Sequence, residues 1–250
     1  RQDFDHGVAA RTRSAAQPRT KEQRIGARQR FGGVSKAVEP ERGEYDDVFV
    51  ERYAALAKAF GDRGLRVIVD FHQDVFARPY CGDGFPLWAL LEPVEELTYD
   101  CHQWFNGYTA VGGPVQRAYD QFWANDPAAD GTGLRDAFKD FWRHVAARLW
   151  QLDAVIGFEV INEPGWGTAD PGEFQKQVLT PFYTELAAVI REVAPGAPIF
   201  FDSSGVDAVS ASTKLDLPEG GGFVFAPHFY DATVILQGRW TNRAADYDKL

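Results

Sequence analysis

A (β/α)8 barrel of the α/β class is the fold this sequence predicts, with only the middle strands, about the third to the sixth, recognisable in the chain. Three observations predict it. Apolar runs of strand length alternate with stretches of helical apolar spacing, which implies right-handed crossovers and a parallel sheet. No Gly-rich phosphate loop follows any of these runs. Polar groups instead collect after several of them: His72, Gln73 and Asp74; Asn162 and Glu163; Asp202 and Ser203; His228 and Tyr230. An open doubly wound sheet gathers its ligands at one switch point, whereas a barrel draws on the C-terminal ends of many strands.

The elements follow in order. Residues 1–34 are Arg-rich and show neither helical nor strand periodicity, so they are expected to be disordered or aberrant, and 35–250 to form a partial barrel domain. A basic arm for an acidic partner is the alternative for the first segment. "VFVERYAALAKAFGDRG" (48–64) has apolar residues at helical spacing and closes on Gly64. "LRVIVDF" (65–71) is an apolar, β-branched run typical of a strand buried on both faces. The alternation repeats with a helix in 133–150, a strand in 154–161, a helix in 174–194, a strand in 198–204 and a last strand in 221–230.

Composition limits the function. With 250 residues, 45% hydrophobic and 14% aromatic, the chain can bury the core of one large domain. A net charge of −10 repels phosphate backbones, so nucleic acid is not expected as a partner. Seven Trp and nine Tyr suit neutral ligands such as sugars as well as a packed core. No stretch reaches the roughly 18 apolar residues of a membrane helix. The chain has no Met, not even at position 1, and is expected to be processed, trimmed or part of a longer reading frame. Cys81 and Cys101 lie in one loop region and allow either a disulfide or two free thiols. Nothing fixes an oligomeric state, no cofactor is implied, and the histidines show no spacing along the chain that suggests a metal site.

The stretch "GFEVINEPGWG" (157–167) ends an apolar strand on Asn162 and Glu163, read as pointing at solvent, and stops on Pro164. Cleaving a glycosidic bond needs one group that protonates the departing oxygen and later deprotonates water; a Glu in a partly desolvated pocket does both when its pKa is raised. Asn-Glu-Pro alone is equally a strand exit with turn chemistry. Its setting adds to it. "VIVDFHQDVF", "GDGFPLWA", "GFEVINEPGWG" and "FAPHFYDA", in this order and together with "EPERGEYD", resemble glycoside hydrolase family 5, most closely its endoglycoceramidase branch, over about Val38 to Ala232.

That resemblance implies a retaining β-glycosidase acting on O-glycosyl bonds, with the bond between oligosaccharide and ceramide as the expected target. It makes Glu163 the acid/base, Asn162 its substrate-orienting neighbour, and His72, Asp74, His228 and Tyr230 groups lining the sugar site. Capping of the next segment is the alternative for Asp74, and a structural hydrogen bond for a lone His. Trp88 and Trp166 would stack on sugar rings, wall a lipid path or simply pack. The implied partner is a glycolipid or oligosaccharide, with transient contact with membrane lipid and a secreted location. One feature departs from the family pattern: its nucleophilic Glu comes from the seventh strand, and no Glu follows Glu219. Asp231 and Asp246 have a shorter reach and end no recognisable strand. A family 5 β-glucanase, mannanase or glucosylceramidase, and a non-catalytic sugar-binding fragment, are the other expectations.

Overall fold

Five strands make one parallel sheet in the order β1-β2-β3-β4-β5: β1 Arg28–Arg30, β2 Val67–Asp70, β3 Val155–Glu159, β4 Ile199–Phe201 and β5 Phe223–Phe225. The structure, a computed structural model, describes residues 28–30, 35–210 and 212–230. Each strand pairs with its successor in the chain, and the order never reverses. A doubly wound sheet must reverse at its switch point, so the uninterrupted order is that of a barrel wall. The four expected strands are present. A fifth, β1, falls inside 1–34, where no strand was expected; the rest of that segment lies outside the described residues apart from the strand itself. Pairing uses backbone N–H and C=O groups, so Arg-Gln-Arg can join the edge of β2 without an apolar signature.

The helices are α1 Ser35–Val38, α2 Asp47–Gly61, α3 Asn106–Thr109, α4 Pro114–Ala124, α5 Leu134–Leu149, α6 Pro171–Phe174, α7 Thr180–Val193 and α8 Asp207–Ser210. Helix α2 starts where the Asp46 side chain accepts the N–H of Phe49 at 3.0 Å, and it ends before Gly64, which takes a left-handed turn. The single helix expected over 174–194 is divided: a π-helical turn, Gln175–Leu179, separates α6 from α7. Pro181 has no N–H to return to the preceding turn, and the Thr180 hydroxyl donates to the carbonyl of Gln175 at 2.9 Å instead.

Helix α4 was not expected, although its signals are present: Pro114 opens it, Asn125 closes it in a left-handed conformation, and Val115, Ala118, Tyr119, Phe122 and Trp123 are buried at helical spacing. It seats the core against the sheet. Phe122 meets Phe138 of α5 edge-on at 5.6 Å, and Phe138 lies 4.7 Å from Phe71, just beyond β2. From α5 the Trp142 indole N–H donates to the carbonyl of Val160 at 3.1 Å, fixing the chain as it leaves β3.

Candidate active site

Beyond β3 the chain turns through Asn162 and Glu163, and neither points at solvent as expected: they are 1% and 5% exposed. Side chains from the ends of neighbouring strands close over them. The Gln73 amide, after β2, donates to the carbonyls of Asn162 at 2.7 Å and Glu163 at 2.8 Å, while the Asn162 amide donates back to the carbonyl of Gln73 at 2.9 Å. From β4's end the Asp202 carboxylate accepts the N–H of Glu163 at 3.2 Å. The carbonyls of Asn162 and Glu163 and the N–H of Glu163 thus find side-chain partners, while the Asn162 N–H donates to the carbonyl of Phe71 at 3.0 Å.

The turn is also strained. Glu163 has φ +40°, and Val75 and Phe76 beyond β2 have φ +41° and +73°. Such conformations cost about 1–3 kcal/mol each and persist only where the surroundings impose them. Here Val75 N–H donates to the Tyr108 hydroxyl at 3.1 Å and Phe76 N–H to the Gln73 side-chain oxygen at 3.1 Å, an oxygen that also accepts from the Tyr119 hydroxyl. Helix α4 contributes a second time: the Trp123 indole donates to the carbonyl of Gly165 at 2.8 Å, fixing the loop that follows Glu163.

One oxygen of Glu163, Oε1, accepts from His228 Nδ1 and from the Tyr230 hydroxyl, both at 2.6 Å. On its other side His228 Nε2 faces Glu159 Oε1 at 3.5 Å and Asp202 Oδ2 at 3.6 Å. Burial alone would lower the His228 pKa, but hydrogen bonds to Glu159 and Glu163 and the charges of Asp202 and Glu163 raise it to about 10. The ring is an imidazolium at neutral pH, with both nitrogens donating. The expectation of a raised Glu163 pKa is corrected. Burial pushes it up, but the bonds from His228 and Tyr230 and the charges of His228 and His72 outweigh burial and hold it below the ordinary value. Asp202 behaves oppositely: burial raises it to about 7, against the pull of His228.

Of the predicted site residues, Asn162, Glu163, His228 and Tyr230 come together. His72 stands one strand over, between Asp70 at 3.4 Å and Asp74 at 3.3 Å; burial would lower its pKa, but these two carboxylates raise it to about 9. Asp74 thus faces His72, and its backbone bridges to Asp83. Trp166 is buried and stacked on Tyr108 at 5.9 Å. Trp88 is held by other residues: its indole donates to the carbonyl of Glu39 at 3.0 Å and its face takes the Arg42 guanidinium at 5.6 Å.

The sequence had shown Gln73 and Asp202 only as polar residues after strands, and gave no sign of Glu159, Tyr108 or Tyr119. Glu159, Asp202 and His228 bring three titratable groups within 4.8 Å, a grouping that spacing along the chain does not reveal. Cys81 and Cys101 form a disulfide with Cα atoms 5.2 Å apart, which resolves the two alternatives left open.

The family profile described as Cellulase (glycosyl hydrolase family 5) matches residues 31–249. Endoglycoceramidase of Cyanea nozakii is 27% identical over 234 residues, which cover 81% of this chain and 45% of that protein. Endoglycoceramidase I of Rhodococcus hoagii is 24% identical over 213 residues, 80% of this chain and 42% of that one. The solved structure of endo-glycoceramidase II from Rhodococcus sp. in its ganglioside GM3 complex is similar with a TM-score of 0.69 at 26% identity, over 82% of this chain and 48% of that chain. The chain spans about half the length of the curated relatives it matches.

Proposed function

The chain belongs to glycosyl hydrolase family 5, and from that premise we propose that the protein carrying it is a retaining β-glycosidase that splits oligosaccharide from ceramide in glycosphingolipids, with Glu163 as acid/base. The observation that carries this reading is the buried Glu163 carboxylate at a barrel strand end, with Oε1 held by both His228 and Tyr230 at 2.6 Å. Those two bonds leave Oε2 for the glycosidic oxygen.

In the first step a second carboxylate attacks the anomeric carbon, the bond to the ceramide oxygen breaks, and Glu163 delivers its proton to that oxygen. In the second, water attacks the anomeric carbon, the enzyme carboxylate departs, and Glu163 takes the water's proton. The lowered pKa of Glu163 suits the second step, where it must be a base. The first step needs it protonated, and a negatively charged nucleophile about 5–5.5 Å away raises the pKa of its neighbour. The nucleophile is to be sought outside the described residues. His72 and Asp74 would line the sugar side of the pocket; Trp166, packed on Tyr108, would serve as a wall, and Trp88 as packing.

Exposed Val94, Phe105 and Val111 in the excursion after β2 support transient contact with membrane lipid, and among the described residues no helix is long and apolar enough to cross a membrane. The Cys81–Cys101 bond supports a secreted, oxidising location.

The test is to incubate the protein at its native length with lactosylceramide, ganglioside GM3, glucosylceramide and a soluble β-glucan. Release of ceramide together with intact oligosaccharide is expected. Cleavage within the glucan alone would favour a glucanase, release of glucose from glucosylceramide alone a glucosylceramidase, and binding without turnover a sugar-binding protein. Glu163→Gln should lower kcat by about 10²–10⁴-fold while sugar binding survives, and retained turnover would remove Glu163 from the acid/base role.

A further inference from the structure

We propose that Asp202 is a positioning residue for the Glu163–His228 pair, clamping the exits of three neighbouring strands with one carboxylate. Asp202 is buried just after β4. Its Oδ2 accepts the N–H of Glu163 at 3.2 Å, and its Oδ1 accepts the N–H of Ser203 at 2.8 Å and of His228 at 3.4 Å. These three amides belong to residues beyond β3, β4 and β5, where the sheet ladder no longer supplies acceptors, so a side chain must. The backbone that carries this carboxylate is held from behind, because the Tyr183 hydroxyl of α7 donates to the backbone carbonyl of Asp202 at 2.7 Å.

The clamp does two things at once. It holds Glu163 in its left-handed conformation, φ +40°, which an unsupported Glu would leave. It also sets Oδ2 3.6 Å from His228 Nε2, so the group that fixes the backbone of the acid/base also stabilises the imidazolium that binds its carboxylate. Among the described residues, the other titratable groups facing this pair include Glu159 at Nε2, Tyr230 at Glu163 Oε1 and Tyr108, whose hydroxyl lies 3.5 Å from the carbonyl of Glu163, with the His72 charge nearby. Glu159 faces His228 Nε2, whereas Asp202 accepts from the backbone N–H of both Glu163 and His228.

The kinetic arm of the test rests on the glycosidase reading; two other arms do not. In the protein at native length, Asp202→Asn keeps the volume but has a single acceptor oxygen, so it cannot serve Glu163 and the Ser203–His228 side together. On lactosylceramide, kcat should fall about 10- to 100-fold with KM within about twofold, since a misplacement near 1 Å is enough for such a loss. The limb of the kcat/KM profile that follows His228 should move to lower pH, which loss of packing alone would not cause. Independently of turnover, nitrogen NMR of the His228 ring should show its midpoint, about 10 in the unaltered protein, shifted down in Asp202→Asn. In the unaltered protein the amides of Glu163 and His228 should exchange with solvent slowly, a readout that needs no variant to fold. Unchanged kcat with an unmoved His228 midpoint, or either amide exchanging at the rate of a free loop, would overturn the proposal. Absence of glycolipid turnover in the unaltered protein would overturn the functional reading instead and leave the NMR and exchange results to decide on Asp202.

Discussion

Replacing Cys81 and Cys101 together by Ala opens a loop whose ends are 20 residues apart, and the cost can be worked from that separation. In the chain-entropy account, a cross-link closing n residues removes about 2.1 + 1.5R ln n cal/mol/K from the unfolded state. For n of 20 this comes to about 11 cal/mol/K, or about 3 kcal/mol at 25 °C. The native state should barely change, since Cys81 already sits in a left-handed turn capping Arg78–Tyr80 and the Tyr99 hydroxyl donates to the carbonyl of Tyr80 at 2.9 Å across the same closure. The assay is urea unfolding of the double variant beside the oxidised parent. A loss of about 3 kcal/mol is expected, with a larger m-value in the variant because its unfolded chain is more open. The melting temperature should fall by roughly 6–12 °C for a domain of this size. A loss under about 0.5 kcal/mol with equal m-values would refute the reasoning. It would mean that the loop stays closed in the unfolded chain or that the bond strains the native one.

Other outcomes follow from the same structure. Gly165→Ala would place a Cβ 2.2 Å from the ring of the fully buried Tyr119; overpacking of this kind costs about 1–3 kcal/mol, measurable by urea unfolding, and should lower kcat as well because Glu163 lies two residues away. Tyr183→Phe deletes the bond to the carbonyl of Asp202 and should cost about 1 kcal/mol in the same assay. His228 and His72 have folded pKa values raised to about 10 and about 9 above a reference near 6.5. Their contribution to stability is therefore complete below about pH 6.5 and is lost as pH rises through 9 to 10, so the urea midpoint should fall across that window and fall less steeply in His228→Gln. Glu163 has the opposite sign: its lowered pKa contributes stability above the reference value of 4.5, lost as pH falls through the depressed one, and Glu163→Gln should flatten that acid limb.

Strand and helix existence was legible because it depends on patterns within a few residues. Val67–Asp70 and Val155–Glu159 read as buried parallel strands, and they pair as such. Asn162, Glu163, His228 and Tyr230 were legible as a group because a barrel gathers its polar residues at strand exits. β1 was not, since Arg-Gln-Arg carries no apolar run to mark it and strand pairing itself needs only backbone groups, and α4 went unread although Pro114 and Asn125 mark its ends.

What the sequence determined by itself was the alternation of elements, the sequential parallel order it implies, and which polar residues stand at strand ends. Tertiary structure decided their chemistry. Whether Glu163 is raised or lowered turns on the competition between its burial and the bonds from His228 and Tyr230, 65 and 67 residues away. Whether Asp202 is a loop polar or a clamp turns on where the exits of β3 and β5 bring their amides. Periodicity is a short-range property, visible within one turn or one pleat, whereas a pKa or a shared hydrogen-bond acceptor is set by groups that only folding places within 4 Å of one another.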